Sequence, residues 1–437
     1  MKYDITTKEA PIMPNLGSGC ECIRLLASQV APEMRQQVVP MLFPALATYM
    51  SGCEFLYPDN SYKEITGLLA HLVADSGTGK GQLTGCVEAI MERYRKHDEE
   101  ELEKLVKWQR TVKTRGANKE KPQRPNIALW YPPSDVTSPA FIQNAMACEE
   151  LGGHTQFYNM PEIEMADKMC GGHKQVSQTI RNIFDKARAG ALRATADGVT
   201  GNPTLRVNIS FSSTPFSARK FYRNDLYNGT FGRIMFCYKQ RQQRSGKIPR
   251  QGFYDEDFAN RLDSFLVRLE ACKGRFVIPR LNKLADRLAE DMATLADLTD
   301  DDTMWDFSKR SIVTAWKCGC LLYVANGLQW TKCMADLVEW LVYHDLWSKS
   351  QVFADLLKEN ETAAGVQRSG PKNMLDDLPN TFTLQQLEAL RLSMGKEKDG
   401  YNNLRVWTYR GFITYDEQTQ LYSKTQDYLL GTNTRRR

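Results

Sequence analysis

No stretch of this sequence approaches the roughly twenty consecutive apolar residues that a membrane span needs, so no membrane partner is expected. The N-terminal stretch MKYDITTKEAPIMPNLGSG is polar and lacks an apolar h-region, so no secretory leader is expected and the chain reads as cytoplasmic. Metal-site cysteine patterns are also missing. The eleven cysteines form C-x-C pairs at Cys20/Cys22 and Cys318/Cys320 but no C-x-x-C, and no histidine stands near enough to complete a zinc site, which points to reduced thiols. Histidine is sparse and scattered: His71 falls in an apolar run, where a satisfied buried ring is expected, and His154 and His173 flank a candidate strand. A net excess of one sign of charge is small overall, with 57 Lys and Arg against 52 Asp and Glu. It is concentrated locally, because 104–124 holds eight basic residues against Glu120 and 219–250 holds nine against Asp225. Both segments suit a phosphate backbone, and a solvated basic face is the alternative.

What is present is best seen at Leu68–Thr84, LLAHLVADSGTGKGQLT. An apolar run leads into a glycine-bearing turn with one lysine and then into a helical pattern, as in a phosphate-binding loop. Gly77 and Gly79 let the backbone turn with its N–H groups pointing inward, and Lys80 reaches the β and γ phosphates. The expected nucleotide-binding set is Ser76, Gly77, Thr78, Gly79, Lys80, Gly81 and Gln82. Against G-x-x-x-x-G-K-[ST], Ala74 replaces the first glycine and Gly81 replaces the hydroxyl that binds magnesium. Thr84, one helical turn on, or Ser76 or Thr78, is left to supply that oxygen.

Around the loop the pattern is α/β. Glu21–Met50 has helical spacing broken by Pro32, Pro40 and Pro44, Gly52–Tyr62 reads as a short strand and turn, and two helices are expected at 82–96 and 98–113. Strands follow at 126–131, 154–160, 204–212 and 234–238, with helices after PPSDVTSP and over 174–189. Acids follow the second of these strand candidates, 154–160. Glu162 is the expected water-activating base and a magnesium ligand, and Glu164 an auxiliary; a helix N-terminus with two acids is the alternative. Pro161 stands where the usual first acid would be. Ser213 and Thr214, at a strand end, are candidates for contact with the γ phosphate, and turn chemistry also favours them there. Arg233, just before the last strand, is placed to reach a nucleotide on a neighbouring subunit, which requires an oligomer.

These motifs resemble, in order, a poorly characterised family of P-loop ATPases that accompany primases on phages, plasmids and conjugative elements and are similar to helicases. The resemblance rests on ADSGTGKGQLT at 74–84, SDVTSP at 134–139, FYNMPEIE at 157–164, ISFSSTP at 209–215 and NGTFGRIMF at 228–236, within about 60–240. It implies ATP and Mg2+ as cofactors, phosphate binding by Lys80, a Walker B role for Glu162 and a finger role for Arg233; Asp135 and Thr137 fall in the family's Asp-x-Thr element. The expected fold is a RecA-like or helicase-like α/β P-loop core at 21–254 after a flexible tail at 1–20. An all-α domain at 255–360, a linker at 361–379 and a winged helix at 380–437 follow.

The helical part has long amphipathic and apolar stretches and nothing chemical. In the last seventy residues, helices at 383–394 and 400–410 precede two strands around a turn at 416–418; Asn402, Arg405, Tyr409 and Arg410 are the expected DNA contacts. Eleven basic against eight acidic residues over 366–437 leaves a protein-binding winged helix open. The expected activity is ATP-driven DNA handling, as a helicase-like motor in replication of a mobile element. Its partners are single-stranded or duplex DNA, further copies of the chain, with a ring as one form, and a separately encoded primase. The alternatives are a non-hydrolysing nucleotide-binding module that anchors an origin or a partner, and a component of a phage-defence or counter-defence system.

Overall fold

The computed structural model of the chain describes residues 3–5, 7–114, 122–190, 198–226, 229–240, 252–299, 302–363, 374–394, 397–409 and 411–429. The elements run α1 (Glu21–Ser28), α2 (Pro32–Ala47), β1 (Cys53–Leu56), β2 (Tyr62–Glu64), β3 (Leu69–Ala74), α3 (Gly81–Thr114), α4 (Ser138–Glu150) and β4 (Gln156–Met160). Then come α5 (Met165–Cys170), α6 (His173–Phe184), β5 (Val207–Ser213), α7 (Pro215–Tyr222), β6 (Met235–Lys239), α8 (Glu256–Ala271) and β7 (Gly274–Phe276). The helices α9 (Pro279–Thr299), α10 (Asp302–Ala325) and α11 (Lys332–Ala363) precede a small C-terminal unit of α12 (Met374–Asp377), β8 (Thr381–Phe382), α13 (Leu384–Ser393), α14 (Tyr401–Tyr409), β9 (Ile413–Asp416), β10 (Leu421–Lys424) and α15 (Gln426–Leu429).

The centre is a four-stranded, all-parallel sheet in the order β4-β5-β3-β6. All six residues of β3 are buried, which accounts for its unbroken apolar character: a parallel strand with helices on both faces has no wet side. On one face Ser210 of β5 bonds the Met41 carbonyl of α2. On the other, His71, Phe211 and Phe236 meet Tyr222 of α7 and Phe353 of α11. The helix α2 continues through Pro40 and Pro44, where the prolines were expected to break it. Its residues Gln37–Ala47 are buried without interruption, and that burial offsets the roughly 3 kcal/mol cost of an internal proline.

Both edges of the sheet are closed by groups other than strands. On β6, the Phe236 N–H donates to Asp345 Oδ1 at 2.7 Å and the Tyr238 N–H to Ser348 Oγ at 3.1 Å, both from α11. Asp345 also meets Ser311 and the fully buried Lys349, whose ammonium lies 2.7 Å from Oδ2; burial holds the Lys349 amine below its usual range. On β4, the Phe157 N–H donates to the Trp130 carbonyl at 2.8 Å. The segment 126–131, expected as a strand, forms none. The Trp130 and Tyr131 N–H groups donate to Asp98 at 2.9 and 2.6 Å, and both the Leu129 N–H and carbonyl bond Asn144. Two side chains thereby replace a ladder.

The expected pair of helices at 82–96 and 98–113 is one helix of 34 residues, α3, because Asp98 is buried inside it as the anchor of 130–131 rather than at a break. The expected all-helical stretch after 255 contains β7, which pairs in parallel with β1. One buried cluster runs from Ile5 to Phe353, and a second holds Met374, Leu375, Leu378, Phe382, Leu387, Leu404, Trp407 and Ile413. The second belongs to the C-terminal unit, where β8, β10 and β9 form an antiparallel sheet beside α13 and α14; Thr383 and Gln386 close a capping box on α13. Among the described residues no helix is long and apolar enough to cross a membrane.

Asp345→Ala removes the acceptor of a buried N–H and strands a buried ammonium, so it is expected to cost about 3–5 kcal/mol. Urea denaturation measures this, and the double change Asp345→Leu/Lys349→Met is expected to recover most of the loss. Equal stability of Asp345→Ala and the wild type would show that the edge closure carries no energy.

Candidate nucleotide-binding site

The loop after β3 is shaped by two residues with positive φ, Gly77 at 76° and Gly79 at 94°, a region that residues with side chains rarely adopt. The Thr78 hydroxyl donates to the Asp75 carbonyl at 2.7 Å and draws the loop closed. Lys80 curls back over it, donating from Nζ to the Ala74 carbonyl at 3.1 Å. The helix α3 starts at once, with Gln82 N–H on the Gly79 carbonyl and Leu83 N–H on the Lys80 carbonyl. Its N-terminal N–H groups and dipole therefore open onto the loop. Ser76, Gly77 and Gly81 are exposed, and Thr84 is exposed one turn on from Lys80.

Gln82 faces elsewhere. Its Oε1 accepts the Ala31 N–H at 2.7 Å, its Nε2 is buried without a partner, and Met34 lies beside Gly79. The first turn of α2 thus braces the loop from behind.

Burial lowers the Lys80 amine below its ordinary range, against the opposing pull of Glu162 and Asp75. Glu162 therefore lies within electrostatic reach of Lys80. It follows β4 by two residues, exposed, its carboxylate with no hydrogen bond or ion pair among the described residues, while Ile163 behind it is buried. Glu164 is exposed at the N-cap of α5 and caps no N–H. Because β5 runs between β3 and β4, the strands that lead to Lys80 and Glu162 lie about 10 Å apart across the sheet, and Met160 at the end of β4 is level with His71 of β3.

The end of β5 fills the middle. Ser213 is paired with Val73, buried, and bonds His71 Nε2 at 2.8 Å; His71 Nδ1 meets the Tyr222 hydroxyl at 3.0 Å. Both ring nitrogens of His71 are therefore satisfied. Thr214 caps α7, accepting the Ser217 N–H at 3.2 Å. On the other side of β3, Lys239 ends β6 opposite Ala74 and is 5% exposed; its ammonium donates to the Glu33 carbonyl, and burial lowers its pKa. Sequence reasoning counted Lys239 only within a basic stretch. Its signal was position, a lysine directly closing the apolar run MFCY.

Arg233 is not brought to this site. It precedes β6, and β6 runs parallel to β3, so most of the sheet's length, about 15–20 Å, separates it from Lys80. There it donates to the Gly229 carbonyl at 2.7 Å and pairs with Asp185 at 2.9 Å. Asp135, of the Asp-x-Thr element, pairs with Lys168, and Thr137 precedes α4 without capping it by its side chain.

The expected DNA contacts on α14 separate into outward and inward residues. Asn402, Arg405 and Tyr409 are exposed, Tyr409 at 86%, whereas Asn403 is buried against Arg391; Arg410 lies outside the described residues. The turn between β9 and β10 presents Asp416 and Glu417, exposed acids that disfavour a phosphate backbone there.

Among the described residues no group of three or more His, Cys, Asp or Glu converges as a metal cage. Gly81 has open space around it, since a Cβ there would meet nothing within 4 Å.

No family model and no curated protein matches the chain. A solved structure titled "SCCmec type IV Cch - active helicase" aligns over 99% of this chain and 73% of its own, at 11% sequence identity and a TM-score of 0.32. That degree of likeness fixes neither fold nor function. The parallel sheet with helices around it is compatible with an α/β NTPase-like core.

Burial lowers the His71 pKa from 6.5 to about 3, with Lys80 adding to the effect. The unfolded chain takes up a proton below pH 6.5 and the folded ring does not until about pH 3, so this contribution is complete above 6.5 and is lost as pH falls through that window. His344 is lowered to about 3 by burial in the same way. His71→Gln is therefore expected to retain its melting temperature better than the wild type between pH 6.5 and 4.5. Parallel pH profiles would show that His71 carries no linkage.

Proposed function

We propose that the chain is a P-loop ATPase with a helicase-like core that uses ATP to handle DNA, acting as an oligomer. The observation that carries the reading is that the Lys80 loop and the Glu162 carboxylate lie within electrostatic reach of each other at the carboxyl ends of the parallel strands β3 and β4, with β5 between them. Open α/β sheets bind their ligands at the carboxyl ends of the strands, where both groups lie.

The donor set fits a nucleotide. Lys80 now satisfies only a carbonyl, and a triphosphate offers it a better acceptor; the positive-φ glycines and the helix N-terminus complete an anion cradle. Mg2+ bound with ATP supplies charge neutralisation at the β and γ phosphates. Glu162 and the Thr84 hydroxyl are the residues that would hold it. Glu162 orients the attacking water, Glu164 assists, and Ser213 and Thr214 frame the γ position. Arg233 cannot serve its own site at that distance, and in an oligomer it would exchange Asp185 for a neighbour's phosphate.

The C-terminal unit is read as a winged helix that meets DNA through Asn402, Arg405 and Tyr409 of α14, with the acidic hairpin turned away. Replication of a mobile element, beside a separately encoded primase in the cytoplasm, is the setting that fits. A second reading, nucleotide binding without turnover, is favoured by Gly81 and Pro161, which replace a hydroxyl and an acid.

Magnesium-dependent ATP hydrolysis with and without DNA separates the two. Lys80→Ala is expected to abolish turnover and Glu162→Gln to lower it at least about 100-fold, as loss of a general base does. Gly81→Ser, which meets no clash, is expected to raise it. No hydrolysis by the wild type or by Gly81→Ser would establish the non-hydrolysing reading.

A further inference from the structure

The helix that begins at the nucleotide loop is far longer than its packing requires. Its last buried residue is Asp98, and sixteen further residues carry it about 24 Å on to Thr114. On this extension Leu105, Trp108 and Val112 form a half-buried stripe. The returning chain covers the stripe: Trp108 Nε1 donates to the Pro122 carbonyl at 2.8 Å, and the Arg124 guanidinium lies over the indole at 6.0 Å.

Lys104, Lys107, Arg110 and Lys113 are exposed. At three-residue spacing they wind about 180° around the helix, on the side opposite the stripe. Lys104 and Lys107 are partly met by Glu101 and Glu103, and Arg110 and Lys113 have no ion-pair partner among the described residues. No acid occurs from Lys104 to Thr114. Lysines near a helix C-terminus also favour the dipole, but that effect fades within the last turn and does not account for four cations over three turns.

We propose that this extension of α3 is an arm that inserts into the major groove of duplex DNA. The face it presents, away from the returning chain, is one helix wide, about 10–12 Å, and the groove is about 12 Å wide. Lys104 and Lys113 point to opposite flanks, where the two phosphate backbones run, with Lys107 and Arg110 between them. A single strand is a poorer match, because the arm's one aromatic ring is covered by Arg124 and leaves no stacking platform. Duplex RNA has a major groove too narrow to admit it. The surface rests on the DNA-handling reading above and extends it: the helix that begins beside Lys80 also carries the DNA contact, so one rigid element joins the two sites.

The test is fluorescence anisotropy of labelled duplex DNA, and of a single strand of the same sequence, against salt for the full-length protein. Arg110→Ala/Lys113→Ala is compared with the wild type and Lys80→Ala. Both changes are on the solvent side, so melting temperature and basal ATP hydrolysis without DNA are expected to be unchanged. Loss of two phosphate contacts is expected to reduce the slope of log K against log salt by about 1.8 for duplex, and to remove stimulation of hydrolysis by duplex. An unchanged duplex slope in the double variant overturns the arm while leaving the ATPase reading intact. Equal effects on single strand and duplex overturn the groove assignment. A wild type that binds no DNA overturns the DNA-handling reading and the arm together, whereas loss of hydrolysis in Lys80→Ala alone bears only on the nucleotide site. A change in sedimentation without a change in slope would assign the face to a second copy of the chain and contradict the proposal.

Discussion

A parallel sheet of four strands leaves two edges whose N–H groups must be met, and the rest of this structure depends on how they are met. Asp345 and Ser348 bond Phe236 and Tyr238 on one side, and Trp130, held by Asp98, bonds Phe157 on the other. The first closure fixes α11, and with it α10, against the sheet; the second fixes the chain between α3 and α4. The sheet so held places β5, which ends at Ser213, between the strands that lead to Lys80 and Glu162.

Within that frame the loop is held from two directions. Thr78 and Lys80 close it on its own carbonyls, while Gln82 ties its helix to the first turn of α2. Of the two charged groups at its rim, Lys80 holds a single carbonyl, and the Glu162 carboxylate has no partner among the described residues. Lys239 adds a third charge beside Ala74, at present satisfied by Glu33. On the proposed reading the loop takes the anion and the acid takes the water.

The sequence made the strand-loop-helix unit plain, because an all-apolar strand, two glycines and a lysine have few other uses together. It also placed β4, β5 and β6 to within a few residues, and α13, α14, β9 and β10 in order, but not α12, β8 or α15. Features that depend on distant partners were hidden. Residues 126–131 have strand composition, but their N–H groups are claimed by Asp98 and Asn144, and Asp98 in turn made one helix read as two. The prolines of α2 signalled breaks that burial overrides, and β7 is too short and too exposed to show a period. Lys80 stands in the turn after β3 and Glu162 two residues after β4. The tie of Gln82 to Ala31 and the distance of Arg233 from the loop could not be read, because both follow from strand order and not from spacing along the chain.

The central claim is that the loop at 74–80 receives a triphosphate through Lys80. The most direct measurement is equilibrium binding of a fluorescent ATP analogue to the wild type and to Lys80→Ala, with and without magnesium. Removal of one charge-assisted contact, worth about 1.5–3 kcal/mol, predicts affinity weaker by about 10- to 150-fold in the variant. Equal affinity in the two proteins, or no binding to either, would contradict the account.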